Sequence, residues 1–432
     1  MDESIESQLN INSVLPPEML GQIFSLLTPK DLKTVMLVCK SWRDVGERPA
    51  LWSWVEITKL SQLRLKRLQG AREIIIDESL ADCSWLELFQ AVLRHPGLKK
   101  VKWEITLPAW MYKIKQSEKD LLPEIFSKME DIHIHGADKD LAELVANAIL
   151  KRSKNMKSLY LGFLWGLDRP EVELVVSALN KIETVEAGLR QNEANLLLKK
   201  MLEGTSIKSL SFNTGLLLSE IEPSHLFGSF KKIKRLELLG LEDKVLEKNL
   251  VATLCEAIMA SNNLKDLKLC GVHLCRISHH LLEKTAIHIA NHLEVLHLDG
   301  SYYKEDMKDQ IGAIVRAIVS SEGGCLKILD LNCINFSLIE SDLLAKMVKQ
   351  VELVRFTSDL DEDQMFAILK AIADEPGKLQ KLFLTVSTEL VIDTDTLGAA
   401  ANNLETLELY SETESESDSS SDIDSLSEIG SD

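Results

Sequence analysis

The stretch Cys270-Gly-Val-His273-Leu-Cys275-Arg-Ile-Ser-His279-His280 gathers five sulfur and nitrogen donors of the kinds that hold zinc. It straddles a strand end and the loop after it, and that loop would have to fold tightly for four donors to converge. A buried or half-buried cysteine with solvent-facing histidines is the expected arrangement. His133 and His135 lie two apart on a strand and share a face, which supplies only two ligands. Asp359-x-Asp361-x-Asp363 opens like a calcium loop, but the sixth position is Gln364 instead of Gly and the twelfth is Lys370 instead of Glu. GxxxxGK[ST], GxSxG and HExxH are absent, so the sequence carries no phosphate cradle, nucleophile elbow or zincin site. No metal, no cofactor and no catalytic residue is expected. One modification chemistry is written in the acidic segment 411–432, which holds nine Ser and eight Asp or Glu. Ser411, Ser415, Ser419, Ser421 and Ser425 each precede an acid by three residues, the pattern an acidophilic casein-kinase-II-like enzyme favours. The segment cannot bury a core and is expected to be disordered. A purely solubilising tail explains the composition equally well.

The elements that would position any chemistry are read from composition and period. At 432 residues the chain is long enough for about three ordinary domains. Leu alone accounts for 73 positions and hydrophobic residues for 45%, so a large core can be buried. Seven cysteines without a CxxC pair fit a reducing compartment. The first thirteen residues are acidic and polar, unlike a secretory signal, and are expected to be disordered. No apolar run approaches the ~20 residues of a membrane span. An intracellular protein, cytoplasmic and/or nuclear, is expected. The formal charge of −18 argues against binding a phosphate backbone, since such affinity comes largely from Lys and Arg.

A six-residue pattern, apolar-x-x-apolar-x-apolar, recurs from Ala71, Leu98, Met129, Met156, Ile182, Ile207, Ile233, Leu264, Leu293, Leu326, Val351, Leu379 and Leu404. A half-copy begins at Trp52, and the mean spacing is about 28 residues. The alternating end of each copy suits a strand with one buried face. Segments of helical spacing follow, as in 250–263, 308–321 and 361–373. A strand and a helix in ~28 residues cannot bury their own apolar faces, so stacked copies must share a core. Residues 52–410 resemble the leucine-rich-repeat family, particularly its ribonuclease-inhibitor-like members. The resemblance implies an α/β solenoid of about 13 repeats, a horseshoe with a parallel sheet inside and helices outside. The family often places Asn or Cys three residues past the last Leu of a motif; here that slot holds Thr106, Leu164, Leu241, Val272, Ser301 or Ile334.

Residues 14–54 stand apart as three short helices. Met19, Leu20, Ile23, Phe24, Leu26 and Leu27 recur at helical spacing, and Thr28-Pro29-Lys30-Asp31 supplies a helix start. Leu32, Val35, Met36, Val38, Cys39 and Trp42 are expected to face inward, and Gly46 and Pro49 end the run. With Leu15-Pro16, Glu18, Ile23-Phe24, Leu27, Leu32, Val38-Cys39, Trp42-Arg43 and Leu51-Trp52, this stretch resembles an F-box. That module docks substrate receptors onto the adaptor subunit of SCF (cullin–RING) ubiquitin ligases. The resemblance implies adaptor contact for Leu15, Pro16, Glu18, Ile23, Phe24, Leu32, Val38, Cys39 and Trp42.

In a solenoid the sheet face is the usual binding surface. The middle exposed position of each strand falls on Ile75, Lys102, His133, Tyr160, Glu186, Ser211, Glu237, Lys268, His297, Asp330, Arg355, Phe383 and Glu408. Aromatic and Arg side chains dominate protein interfaces. Tyr160, Arg355 and Phe383 are therefore the leading substrate contacts, with His135, Phe163 and Tyr410 behind them. The row mixes charges and suits a protein partner more than nucleic acid. Together the two resemblances imply a non-catalytic substrate-recognition subunit of an SCF-type E3 ubiquitin ligase, partnered by the adaptor, the cullin–RING core and a protein target. The competing reading is a leucine-rich-repeat scaffold with an F-box-like cap and no ligase role.

Overall fold

Every copy of the repeat motif becomes a strand, and within each compact unit the strands pair in chain order. The computed structural model describes residues 15–52, 54–57, 70–77, 90, 92–95, 97–104, 121–137, 139–152, 156–164, 167–212, 222–239, 248–271, 277–300, 308–321, 323–336, 339–357, 360–386 and 393–411. The expected disordered segment 1–13 and the tail beyond Ser411 lie outside these residues, as do Ser415, Ser419, Ser421 and Ser425. The chain divides into two compact units, Met1–Gly188 and Leu189–Asp432.

The first unit opens with three helices, α1 (Pro17–Phe24), α2 (Pro29–Val35) and α3 (Lys40–Gly46), and a 3₁₀ turn at Pro49–Leu51. The Thr28 hydroxyl accepts from the Asp31 N–H at 3.2 Å and caps α2, with Pro29 at its first position. Leu20, Phe24, Leu32, Val45 and Trp52 are buried. Trp52 ties the turn down by donating its indole N–H to the Gly46 carbonyl at 2.7 Å. Six parallel strands follow: β1 (Trp54–Ile57), β2 (Glu73–Asp77), β3 (Lys100–Glu104), β4 (Asp131–Ala137), β5 (Ser158–Leu164) and β6 (Thr184–Gly188). Each pairs with the next. Helices α4 (Leu122–Lys128), α5 (Lys139–Arg152) and α6 (Arg169–Leu179) pack on one another in sequence.

The second unit repeats the plan with α7 (Gln191–Glu203), β7 (Ser209–Phe212), α8 (Pro223–Phe230), β8 (Arg235–Leu239), α9 (Lys248–Met259), β9 (Asp266–Cys270) and α10 (His279–His292). It continues through β10 (Val295–Asp299), α11 (Lys308–Ser320), β11 (Ile328–Asn332), α12 (Ser341–Val348), β12 (Leu353–Phe356), α13 (Glu362–Asp374), β13 (Lys381–Val386), α14 (Thr394–Asn402) and β14 (Thr406–Ser411). Parallel pairing runs unbroken from β7 to β14. This is the leucine-rich-repeat plan of strand, turn and helix. Ser411 therefore closes the last strand instead of opening the tail.

Successive repeats are joined by more than apolar contact. The last carbonyls of a helix have no partner within it. Here the next repeat provides one: Ser261 Oγ donates to the Phe230 carbonyl at 2.6 Å, Lys232 Nζ to Met201 at 2.6 Å and Asn403 Nδ2 to Ile372 at 3.0 Å. The missing family Asn is also compensated. Ile334, in the slot where that Asn would bond the turn, is buried instead. The turn carbonyls of Phe336 and Ile339 accept from Gln364 Nε2 of the following helix, at 2.7 and 2.9 Å. Gln364 is 1% exposed, and its Oε1 accepts from the Asp361 N–H. Gln364→Leu fills the volume but strands these backbone groups. Each buried unsatisfied group costs about 1–3 kcal/mol, so a loss of about 3 kcal/mol is expected in denaturant melts. The Asp361 triplet weighed as a calcium loop is thus a helix start, with Asp361 Oδ1 accepting from the Gln364 N–H at 2.8 Å.

Candidate interaction surfaces

The three-helix module divides its apolar residues between a core and an open face. Phe24 and Leu32 are 1% and 0% exposed, so any role they have toward a partner is through supporting the module. Ile23 is exposed and Leu15 half-buried, while Pro16 precedes α1 as its cap residue and Glu18 stands exposed in the first turn. Val38 corrects an expectation: placed inward by helical spacing, it stands exposed because the chain leaves helix at Val35. Cys39, half-buried, acts as a helix cap, its sulfur accepting from the Trp42 N–H at 3.5 Å. Trp42 packs edge-on against Phe24, with ring centroids 5.4 Å apart.

Sequence reasoning names Ile23 and Val38 as adaptor contacts but passes over Met19, Leu26 and Leu37. Of the nine large hydrophobic side chains exposed among the described residues, five are Met19, Ile23, Leu26, Leu37 and Val38. Met19 and Ile23 lie four residues apart on one face of α1, and Leu26 follows in the turn after its end. Helical spacing alone could not say which of two apolar stripes on so short a helix is the inner one. Apolar side chains concentrated this way on a small module mark an interaction surface.

The file expected along the sheet is present in both units. In the first, Ile75, Lys102, His133, Tyr160 and Glu186 stand beside one another in register. His133 stacks on Tyr160 at 5.6 Å, and its Nε2 lies 3.1 Å from Asp131 Oδ1. Burial acts to raise the Asp131 carboxyl, but the bond and charge of His133, with the Lys100 charge and a Ser158 bond, together hold it below its ordinary value. His135 and Phe163 lie on β4 and β5, their side chains outside the described set.

In the second unit Ser211, Glu237, Lys268, His297, Asp330, Arg355, Phe383 and Glu408 follow one another across eight strands. Opposite charges pair along it: Lys268 Nζ to Glu237 at 2.7 Å, His297 Nδ1 to Asp330 Oδ2 at 2.9 Å. Burial acts to lower Lys268, yet the Glu237 carboxylate holds it above the ordinary lysine value. Arg355 reaches toward Asp330 at 4.0 Å and lays its guanidinium over the Phe383 ring at 4.9 Å. Phe383 is therefore only 7% exposed, and the accessible group at this step is Arg355. Tyr410 OH donates to Glu408 at the last strand.

Of the cysteine–histidine stretch around 270, Cys270 is buried, His279 pairs with Glu283 at 3.4 Å and His280 is exposed. His273 and Cys275 lie outside the described residues. Burial pushes the Cys255 thiol up to about 11 and, aided by nearby carboxylates, the Cys270 thiol to about 12. The thiolate is the reactive form. At pH 8 a maleimide is therefore expected to label the exposed Cys325 and Cys333 first, and Cys255 and Cys270 only after denaturation. Mass mapping of labelled peptides checks this.

Comparison with known proteins bears on the helical module. Residues 13–58 match the F-box-like family model. They are an F-box-like domain, which runs past the expected end at residue 54 to take in β1. No curated protein matches the sequence. Among solved structures the chain is similar to the leucine-rich repeat-containing protein LegL7 from Legionella pneumophila, at 15% identity over 78% of this chain and 90% of that one, with a TM-score of 0.41. It is also similar to a chain of the Rad7 and Elc1 complex in yeast, at 9% identity over 90% of this chain and 92% of that one, with a TM-score of 0.46. Among the described residues no helix is long and apolar enough to cross a membrane.

Proposed function

We propose that this chain is the substrate receptor of an SCF-type ubiquitin ligase, its F-box-like domain holding the adaptor and its repeats holding a protein target. The observation that carries the reading is the F-box-like domain at 13–58, with its apolar side chains Met19, Ile23, Leu26, Leu37 and Val38 turned outward. Such a surface is costly in water and is covered when an adaptor docks. Leu15, Pro16 and Glu18 flank it at the start of α1, while Phe24, Leu32, Cys39 and Trp42 hold its shape.

The chain itself performs no covalent step in this scheme. Docking brings the target into the same assembly as the ubiquitin-loaded conjugating enzyme. A second encounter in solution then becomes an intramolecular one, and effective concentration rises to the millimolar range for short linkages. Tyr160 and Arg355 are the first side chains a target would meet on the sheet, with Phe383 acting beneath Arg355. His135 and Phe163 in the first unit and Tyr410 in the second are further candidate contacts.

Co-purification tests the reading. Expressed in cells, the chain is expected to bring down the adaptor and, through it, the cullin. Recovery of the chain without either, with its helices intact by circular dichroism, leaves a binding solenoid with no ligase role.

A further inference from the structure

Strands β9 and β10 bring Cys270 beside His297 and Asp299, one repeat further along the sequence. Cys270 ends β9 and Asp299 ends β10, directly beside each other in the register. His297 lies two residues before Asp299 and so on the same face. The Cys270 sulfur, an imidazole nitrogen of His297 and a carboxylate oxygen of Asp299 all lie within 4.8 Å of one another. Cys270 and His297 are buried, at 5% and 8% exposure, and Asp299 is half-buried, so the cluster opens on one side only.

A second layer orients these groups. Asp330 Oδ2 sits 2.9 Å from His297 Nδ1, which fixes the proton there and leaves Nε2 with its lone pair for another partner. The Asp330 side chain is 9% exposed, and its other oxygen is buried without a hydrogen-bond partner. Asn332 Nδ2 donates to Asp299 Oδ2 at 3.1 Å, and Thr357 Oγ1 bonds Asn332 in turn. Carboxylate-to-histidine and amide-to-carboxylate contacts of this kind are what holds ligands in place around a metal.

We propose that Cys270, His297 and Asp299 bind one zinc ion, with Asp330 and Asn332 orienting the histidine and the carboxylate. The donor set decides the metal. Sulfur, imidazole nitrogen and carboxylate oxygen together suit zinc, whereas calcium and magnesium require oxygen ligands. Zinc bonds of about 2.0–2.3 Å place tetrahedral ligands about 3.3–3.8 Å apart, so side-chain adjustments of about an ångström complete the site. On binding, the Cys270 thiol releases its proton to solvent and the thiolate takes a place on the ion. The fourth position stays open to water or to a side chain of whatever lies on the sheet. Asp299 and Asp330 gather negative charge here, while the nearby Lys268 ammonium is paired with Glu237 at 2.7 Å. The site stands on the second unit alone and does not depend on the adaptor reading.

Cobalt(II) as a spectroscopic probe, followed by zinc, tests the site on the full, metal-stripped chain. One equivalent of cobalt is expected to give thiolate-to-metal charge-transfer absorption that zinc abolishes. Cys270→Ser removes the band. His297→Gln and Asp299→Asn weaken binding about 100-fold. Asp330→Asn weakens it about 10–100-fold while the band persists at saturation, as loss of an outer partner predicts. A parallel melt shows zinc raising the Tm of wild type and not of Asp299→Asn, which keeps the test valid where Cys270→Ser folds poorly. A wild-type chain that binds no cobalt overturns the proposal. So does a charge-transfer band that survives Cys270→Ser, since that places the metal on other cysteines.

Discussion

Leu26→Asp combined with Leu37→Asp is expected to abolish adaptor capture while leaving the melting curve of the chain unchanged. The two side chains are 86% and 77% exposed, so neither contributes to the core of the F-box-like domain. Their loss cannot unfold it. At an interface, however, truncating a well-packed apolar anchor costs about 2 kcal/mol or more. Two such losses together amount to about 4 kcal/mol, or about a thousandfold in Kd. The introduced carboxylates add a desolvation cost on top. Leu32→Asp is the contrasting control: Leu32 is fully buried, and an unpaired charge there is expected to unfold the module and lose adaptor indirectly. Calorimetric titration of adaptor into both variants, alongside circular dichroism, separates the two routes. Undiminished binding by the Leu26/Leu37 pair would mean that this face is not the docking surface.

That face also marks where sequence reading stops. The thirteen repeat motifs were legible because two periods coincide in them, alternation within a strand and a recurrence near 28 residues between strands. Their middle positions come into register across the sheet for the same reason, from Ile75 to Glu186 in one unit and Ser211 to Glu408 in the other. Period says which way a side chain points, and not what lies across it. Phe383 points as expected and is covered by Arg355, a neighbour 28 residues earlier. Met19 and Ile23 sit on a helix of eight residues where inner and outer stripes are both apolar, and only packing distinguishes them. Sequence spacing groups Cys270 with His273 and Cys275, its neighbours along the chain. Its neighbours in space, His297 and Asp299, are one repeat away, where lateral register and not local spacing sets the contact.

The seam between the F-box-like domain and the first repeat carries the other large effect, at Gly70. A methyl group there would stand 1.9 Å from the Pro49 carbonyl oxygen and 2.4 Å from its carbon. Both are backbone atoms of the 3₁₀ turn that Trp52 fixes by its bond to Gly46. No rotamer change relieves such a clash, so Gly70→Ala must move the turn off the chain that leads into β2. Overpacking of this kind costs about 3 kcal/mol, against a gain below about 1 kcal/mol from a stiffer unfolded chain. For a unit of this size the net loss lowers Tm by about 4–9 °C. Gly97→Ala, with nothing within 4 Å of the added methyl, is the neutral comparison. A module of some forty residues has a marginal core by itself, below the ~70 residues at which one suffices. Hydrogen exchange is therefore expected to quicken first across α1–α3 in Gly70→Ala, ahead of β3–β6. Uniform quickening across the first unit would instead mean that the module and the repeats unfold together, with the seam as part of a single cooperative core.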